Sequence, residues 1–466
     1  MTFNSFNFLL FCIVFFPLFF AFKKKQILIL VIAGTVFYGA WDYRYLGLMY
    51  FTICSDYTIA KWLYNSKNKL VRNILFVIGL FLNLGLLCLF KYYDFFAESS
   101  NRAFQFFNIP ALLPVLNVIL PVGISFYTLH SVGYLIDVYK KDQKPVFLFQ
   151  EYAAFITFFP LLIAGPILRI HQLRKQLENS HTFNIKNLKE GLSIFFVGFF
   201  QKVAIADNLA FYADNFFNNS ESYSYFNAII GIYSFAFQIY GDFAGYSNMA
   251  IGLALVMGYH IPKNFNLPYF AVGLRDFWRR WHISLSKFFR DFLYIPLGGN
   301  KAHRTTINLV ITMSVCGLWH GAHLNMLLWG LFHGILLSIE HLLFKVKIYD
   351  IKINRITNLL AMITTFHIVC IGWILFRAEN VNFIKDAILG LLRKSPASVE
   401  NITVYWPAIA LILCAITIDF LVFKLKRIDF FNQQSGFCKT ISICVLLLIL
   451  IFTGGFKSSQ FIYFQF

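Results

Sequence analysis

Apolar stretches long enough to cross a lipid bilayer recur along the whole chain, separated by short polar segments. They predict about ten full transmembrane helices, at residues 6–22, 26–41, 44–62, 72–90, 112–137, 190–209, 225–256, 354–376, 404–424 and 437–455. Two other apolar regions are interpreted as re-entrant hairpins. Residues 149–168 are interrupted by Pro160, Gly165 and Pro166, and the pieces 305–320 and 323–344 form a pair between basic segments. The pattern is typical of an all-α polytopic membrane protein.

Basic residues mark every second predicted loop, which sets the orientation because cytoplasmic loops carry an excess of Lys and Arg. Lys23 to Lys25 follow the first span directly, and no basic residue precedes that span. A cleaved signal peptide carries its positive charge in front, so we expect this span to be retained, with the N-terminus outside. Further basic clusters at 61–72, 140–144 and 424–427 predict that the tail, residues 456–466, is extracytoplasmic.

Composition agrees with the membrane interpretation. Hydrophobic residues make up 58% of the 466 positions and charged residues only 13%, against about a quarter in soluble proteins. Basic cytoplasmic loops explain the formal net charge of +18, so no nucleic-acid partner is expected. The eight cysteines lie singly, which argues against a disulfide framework or a zinc site. Because there is no linker or repeat, residues 1–466 are predicted to form one domain in contact with membrane lipids.

The densest cluster of charged residues is LRDFWRRWHISLSKFFRDFLYIPLGGN, residues 274–300. It brings Arg279, Arg280, Trp281 and His282 together within one short stretch. The residue types alone are typical of an amphipathic helix at the membrane interface. Charged and aromatic residues alternate too closely for one wet face, however, and this favours a helix that lines a polar cavity inside the fold.

A second polar cluster, CGLWHGAHLNMLLWGLFHG at 316–334, places His320 where the first half of a predicted hairpin ends. A helix from Thr305 to this point rises about 24 Å, which puts the imidazole deep in the bilayer. Two roles remain open, a hydrogen-bonded structural histidine or a general base that takes a proton from a hydroxyl. A metal site is not predicted, because no carboxylate or cysteine cluster completes a ligand set with His320 and His323, and Glu340 is the nearest acid.

A third stretch, QIYGDFAGYSNMAIG at 238–252, brings polar side chains into a predicted span. They are Asp242, Tyr246, Ser247 and Asn248. A carboxylate at membrane depth is expected to be protonated or paired with a group from another helix. Arg279 and Arg280 are the predicted partners of Asp242, and a structural ion pair is the simplest role for it.

Taken together, these segments resemble the membrane-bound O-acyltransferase family, in the bacterial branch that modifies cell-surface polymers. The resemblance also extends to LPVGISFYTLHSVGYLIDVYK from Leu120, FFPLLIAGPILR from Phe158 and QKVAIADNLA from Gln201. It implies a ring of helices around a thinned central tunnel, with a catalytic core at about 225–345. It also implies that the catalytic histidine is His320 and that His282 is a second functional histidine.

The resemblance implies a reaction as well. Acetyl-CoA, a substrate and not a bound cofactor, would arrive from the cytoplasm, where basic residues attract its phosphates; they are Arg279, Arg280, Lys287 and Arg290. His320 would deprotonate a hydroxyl that attacks the thioester. His282, or the indole N–H of Trp281 or Trp319, would donate to the oxyanion.

The family branch also implies an acceptor and a partner. The acceptor would be an extracytoplasmic polysaccharide, reached through an SGNH-type transferase outside the bacterial inner membrane. The Lys-, Asn-, Ile- and Phe-rich usage favours peptidoglycan, with an alginate-like exopolysaccharide as the alternative. A membrane transporter without ester chemistry is the rival class, because it too needs broken helices and buried polar groups.

The last nine residues, SSQFIYFQF, set Tyr463 among phenylalanines. One interpretation is an aromatic anchor at the membrane boundary. The other is an acyl relay, in which the phenol accepts the acetyl group and passes it outward. A phenol with a pKa near 10 forms an ester that is a better acyl donor than an alkyl ester.

Overall fold

The computed structural model describes residues 1–110, 113–146, 148–218, 225–301, 304–345, 354–378, 381–392, 399–428, 444 and 446–450. These residues are mostly helical and include no strand. The chain divides into two compact units, residues 1–188 with 254–261 and residues 189–253 with 262–466. The predicted all-α membrane class is confirmed by this helical content and by the apolar helices described below.

Unit 1 contains the first nine helices. Their bounds are α1 Phe6–Ala21, α2 Gln26–Asp42, α3 Leu46–Asn65, α4 Lys69–Lys91, α5 Tyr93–Phe106, α6 Ile124–Tyr139, α7 Phe149–Ile156, α8 Phe159–Leu162 and α9 Ile170–Leu177. Helices α3, α4 and α6 pack against one another.

Unit 2 holds the remaining helices, and the division falls within α10 and α12. The bounds are α10 Ile185–Phe200, α11 Asp207–Asn218, α12 Tyr225–Met257, α13 Leu274–Arg280, α14 Ile283–Phe289, α15 Thr305–His320, α16 Leu324–Lys345, α17 Arg355–Arg377, α18 Val381–Leu392 and α19 Val399–Leu425. Two π-helical turns, Gln201–Ala206 and Arg290–Tyr294, follow α10 and α14.

Six stretches of the described residues are helical, long and apolar enough to cross a membrane. They are Lys23–Asn65, Lys69–Lys91, Ile185–Asn218, Leu324–Leu343, Arg355–Arg377 and Val404–Leu425. The first contains two predicted spans, and the predicted span 437–455 lies mostly outside the described residues. The chain is therefore multi-pass, and the number of spans stays a prediction.

The predicted span 112–137 was placed too early. Helix α6 begins only at Ile124, and the described residues before it are not helical. Pro114 and Pro121 precede the helix, and Gly123 has a φ of 76° that favours glycine. The predicted interruption of 149–168 is confirmed, since α7 and α8 are short and the buried chain beyond them is not helical.

The predicted hairpin of unit 2 is a closely packed helix pair. A Cβ atom on Gly317 of α15 would collide with the carbonyl oxygen of Met326 in α16, and one on Gly330 would collide with that of Met313. Small residues of this kind allow helix backbones to approach. The close contact fixes α15, which ends at His320, against α16.

Candidate active site

The basic segment 274–300 folds as two short helices that meet at a break. Between α13 and α14, His282 adopts the left-handed backbone conformation, with φ 40° and ψ 55°, which costs about 1–2 kcal/mol for a residue with a side chain. The non-helical segment 264–266 holds both sides of the break. The Ile283 amide donates to the Asn264 carbonyl at 2.8 Å, and the Asn266 amide donates to the Arg280 carbonyl at 2.9 Å.

These two helices form one wall of a cavity of about 500 Å³ within unit 2, a volume typical of small-molecule sites. Its basic lining residues are Arg275, Arg279, Lys287, Arg290 and His341, and none of the described lining residues is acidic. Part of this segment therefore lines a cavity, as the second of the two interpretations of it expects. An anionic molecule fits this lining best.

The cavity extends along the helix that carries His320. Thr312 and Cys316 of α15 line its wall, and His320 is the next residue in the same four-residue spacing, on the same helix face. On α16, His341 and Leu337 line the cavity, and His333 and Trp329 continue that spacing. Two helix faces therefore lead from the basic lining towards His320.

His320 lies in an aromatic cluster. The side chain is 2% exposed, and its ring centroid lies 5.0 Å from that of Trp319, 5.3 Å from Trp329 and 5.4 Å from Phe376. The Trp319 ring also lies 6.2 Å from the His282 ring. The structure thus brings both predicted histidines against one indole, although they come from different helices.

Trp278 contacts both the cavity and this cluster. Its indole lines the cavity and packs against Trp329 at 5.7 Å and His333 at 5.2 Å. Neither His320 nor His282 is among the described residues that line the cavity. The rings of Trp278 and Trp329 therefore connect the cavity lining to His320.

His282 is fully buried and hydrogen bonded on one side only. Its Nδ1 lies 3.2 Å from Oδ1 of Asn264, while Nε2 has no hydrogen-bond partner among the described residues. Burial lowers the pKa of His282 to about 3, because the charged form is poorly solvated there. The imidazole is neutral near pH 7, as a general base or hydrogen-bond acceptor must be.

Two neighbouring predicted residues have different surroundings from Arg279. Arg280 is absent from the described cavity lining, and its Nε donates to Asp276 at 2.9 Å. Trp281 is 2% exposed and packs against Trp373 and Phe265 at 4.9 and 5.0 Å. Of these predicted substrate contacts, only Arg279 reaches the cavity.

The predicted partner of Asp242 is corrected by the structure. Asp242 does not pair with Arg279 or Arg280; its Oδ1 lies 2.6 Å from Nζ of Lys202, which also contacts Asp207 at 2.7 Å. Lys202 reaches Asp242 from the π-helical turn after α10. The cation and both carboxylates are almost completely buried, as expected for a structural ion cluster.

The other predicted polar residues of α12 lie in separate contacts. Asn248 donates to the side chain of Gln201 at 2.9 Å, and Ser247 accepts from Asn264 at 3.3 Å. Tyr246 is 3% exposed and interacts electrostatically with Asp242. Among these polar residues, Ser247 reaches the surroundings of His282, through Asn264.

Three polar features of unit 2 give no clear signal in the sequence. His333, in the quoted WGLFHG segment, is 0% exposed. Its position in the sequence, two helical turns after Asn325, does not distinguish it from other buried helix residues. Asn264 carries no charge and lies 18 residues from His282. Tyr233 and His367 form a pair in which the hydroxyl lies 2.7 Å from Nε2, and their sequence separation of 134 residues concealed it.

Tyr463 and the tail 456–466 lie outside the described residues. The two interpretations of that tyrosine remain predictions.

Comparison with known proteins places these motifs in one family. The model of "MBOAT, membrane-bound O-acyltransferase family" matches residues 146–347. A peptidoglycan O-acetyltransferase of Helicobacter pylori is 34% identical over 94% of this chain and 91% of its own length. A probable alginate O-acetylase of Pseudomonas aeruginosa is 40% identical over 77% of this chain and 68% of its own. A teichoic acid D-alanyltransferase of Bacillus subtilis is 31% identical over 57% of this chain and 71% of its own length. The resemblance identified from the motifs is confirmed.

Proposed function

Since the chain belongs to the membrane-bound O-acyltransferase family and is a multi-pass membrane acyltransferase, we propose that it takes acetyl groups from cytoplasmic acetyl-CoA for O-acetylation of an extracytoplasmic polysaccharide. One observation carries the choice of donor. The cavity of unit 2 has a basic lining without a described acidic residue and follows α15 towards His320.

The two kinds of cavity residue suit the two parts of coenzyme A. Arg279 and Lys287 are cations that attract the phosphates, and guanidinium groups bind phosphate oxygens with two hydrogen bonds. Met313 and Cys316 offer an apolar wall to the slender pantetheine arm. The thioester reaches His320 past Trp278 and Trp329, whose rings connect the cavity lining to this histidine.

The chemistry needs one base. His320 takes the proton of the accepting hydroxyl, and the hydroxyl oxygen forms a bond to the thioester carbonyl carbon. The carbon–sulfur bond then breaks, and the leaving thiolate takes the proton back from His320. The aromatic cluster excludes water, which protects the thioester from hydrolysis.

We assign peptidoglycan as the acceptor polymer. The printed name of the Helicobacter pylori relative supports it, since the alignment covers nearly all of both chains. The alginate relative supports the alternative, an exopolysaccharide. A cell-wall digest separates the two, because O-acetylated muropeptides disappear on deletion only if peptidoglycan is the acceptor.

Delivery across the membrane involves Tyr463 and a partner. The phenol accepts the acetyl group from the thioester and passes it to an extracytoplasmic SGNH-type transferase. Tyr463→Phe keeps the aromatic ring but removes the nucleophile, so we expect polymer acetylation to cease at a normal protein level. Acetylation at the wild-type level would leave Tyr463 as an anchor.

This route requires a defined orientation in the bacterial inner membrane, with both termini outside. Cysteines introduced beside Lys23–Lys25 and beside Lys424 are expected to resist an impermeant thiol reagent added to intact cells. Ready labelling at either position would contradict the orientation.

The adjacent residues Arg279 and Arg280 provide a matched test of the donor site. We expect Arg279→Ala to raise the KM for acetyl-CoA about tenfold with little change in kcat, as for the loss of one charge-assisted hydrogen bond. Arg280→Ala is the control, because this side chain pairs with Asp276 outside the described cavity lining.

Acetyl-pantetheine, which lacks the nucleotide phosphates, completes the test. Its KM is expected to be the same for the wild type and for Arg279→Ala. An equal effect of both arginine variants, or an effect of Arg279→Ala on both donors, would contradict phosphate binding in this cavity.

A further inference from the structure

The hydrogen bonds around Asn264 define the chemical state of His282. Three donor positions converge on Oδ1 of Asn264, which is 1% exposed. They are the Ser284 amide at 3.2 Å, the Ser284 hydroxyl at 2.8 Å and Nδ1 of His282 at 3.2 Å. The other end of the amide, Nδ2, donates to the Ser247 hydroxyl at 3.3 Å.

The backbone amide of Ser284 decides which way round the Asn264 side chain lies. An N–H group can only donate, so the atom that faces it must be the amide oxygen and not the NH₂ group. Ser247 on the opposite side is compatible, because a hydroxyl accepts as readily as it donates. The orientation of Asn264 therefore does not depend on the state of the histidine.

This orientation fixes the tautomer of His282. An amide oxygen only accepts, so Nδ1 must carry the hydrogen that lies between the two atoms. A neutral imidazole has one N–H and one bare nitrogen, and Nε2 is then the bare one. Nε2 is buried and has no partner among the described residues, which leaves its lone pair available to a substrate.

We propose that Asn264 is a positioning residue that holds His282 in the Nδ1–H tautomer, so that His282 enters acyl transfer as a hydrogen-bond acceptor through Nε2. The group it accepts from is an O–H or N–H of the bound substrate. The functional part of this inference rests on the proposed function, whereas the tautomer itself does not.

The inference changes the role expected for His282. On the family resemblance, His282 is a candidate donor to the oxyanion, a role that requires a hydrogen on the nitrogen that faces the substrate. In the Nδ1–H tautomer the neutral ring has no hydrogen on Nε2. The left-handed backbone at His282 is consistent with this role, since strained conformations are often kept where they hold a functional side chain.

Nitrogen NMR of the full-length protein with ¹⁵N-labelled histidine tests the tautomer without any substrate. The His282 signals are assigned by their loss in His282→Gln. We expect an Nδ1–H, bare-Nε2 pattern in the wild type and in Ser284→Ala, in which the backbone amide still orients Asn264. In Asn264→Ala we expect a mixture of tautomers. An Nε2–H pattern in the wild type would overturn the proposal, whatever the activity of the enzyme.

The pH dependence of kcat separates a positioning role from a structural one. Asn264→Ala is expected to lower kcat about fivefold, as for the loss of one hydrogen bond, with a similar KM for acetyl-CoA. Asn264→Asp keeps an acceptor oxygen and is expected to restore kcat at high pH. Its carboxylate stabilises the imidazolium and raises the pKa of His282, so the active neutral form is lost as pH falls through the raised value.

The acid limb of the Asn264→Asp profile is therefore expected at a higher pH than in the wild type. The rings in contact with His282 are those of Phe243, Phe265 and Trp319, which do not titrate in this range. Unchanged profiles in both Asn264 variants would overturn the proposal. If Asn264→Ala does not fold, the wild-type tautomer and the Asn264→Asp profile decide it.

Discussion

Two buried histidines, His130 in unit 1 and His282 in unit 2, differ in how they use the same tautomer. Nε2 of His130 accepts a hydrogen bond from the Leu168 amide at 3.0 Å, and its ring also hydrogen bonds with the backbone of Pro166. His282 likewise donates through Nδ1, to Oδ1 of Asn264, but its Nε2 has no partner among the described residues. The Leu168 amide therefore uses the Nε2 lone pair of His130, whereas the Nε2 lone pair of His282 remains available.

The proposed role of His282 implies that an unused lone pair distinguishes a functional buried histidine from a structural one. Both residues are buried, with exposures of 3% and 0%, and both lie in motifs on which the family resemblance rests. Burial and sequence context therefore do not separate them. A buried polar atom without a partner costs about 1–3 kcal/mol, and such a cost is expected where a substrate supplies the missing partner.

His320→Ala is the substitution expected to have the largest effect. Loss of a general base typically costs a factor of about 10²–10⁴, so we expect acyl transfer to fall below detection at an unchanged level of membrane-inserted protein. Polymer acetylation assays with immunoblotting measure both quantities. Substantial acetylation by a well-expressed variant would remove His320 from the catalytic role.

Lys202→Met tests the other kind of buried polar group, the ion cluster that contains Asp242. Without the cation two carboxylates are left buried together, and breaking such a cluster costs about 3–5 kcal/mol. We expect most of the folded protein to be lost, as measured by thermal unfolding and size-exclusion chromatography in detergent.

Asp242→Asn is the matched control for Lys202→Met. Lys202 keeps Asp207 as a partner at 2.7 Å, so we expect a much smaller loss of folded protein. Equal losses would mean that the Lys202–Asp242 pair is essential and that Asp207 alone does not compensate the buried lysine.

His282→Ala is expected to reduce acyl transfer less than His320→Ala. Removal of one hydrogen-bond acceptor from the substrate lowers the rate about tenfold at most if it contributes about 1–1.5 kcal/mol. Single-turnover rates with acetyl-CoA measure this loss. A larger loss at His282 than at His320 would reverse the two roles.

The sequence predicts most of the helices and selects His320 and His282 as candidate site residues. Long apolar runs predict helices directly, and the motifs around His320 and His282 predict a common site, which the structure shows as two rings against Trp319. Arg279 and Arg280 could not be separated, because adjacent helical residues point about 100° apart and only the fold shows which one reaches a cavity.

The partners of these residues could not be predicted, because they depend on contacts across long sequence separations. Lys202 is the partner of Asp242 through a π-helical turn, and the sequence gives no sign of that turn. Asn264 reaches His282 from a non-helical segment between α12 and α13. Its neutral amide has no charge that would mark it in the sequence.

His130→Ala is expected to have the smallest effect on activity and so tests the comparison from the other side. The substitution leaves the Leu168 amide buried without its acceptor, which costs about 1–3 kcal/mol, and we expect a lower unfolding temperature in detergent. The kcat per folded molecule is expected to stay at the wild-type value, because the lone pair of His130 is already used within unit 1. His130→Gln, which restores an acceptor oxygen, is expected to recover part of the stability. A fall in kcat for His130→Ala that exceeds the fall for His282→Ala would show that a free lone pair does not mark the functional histidine.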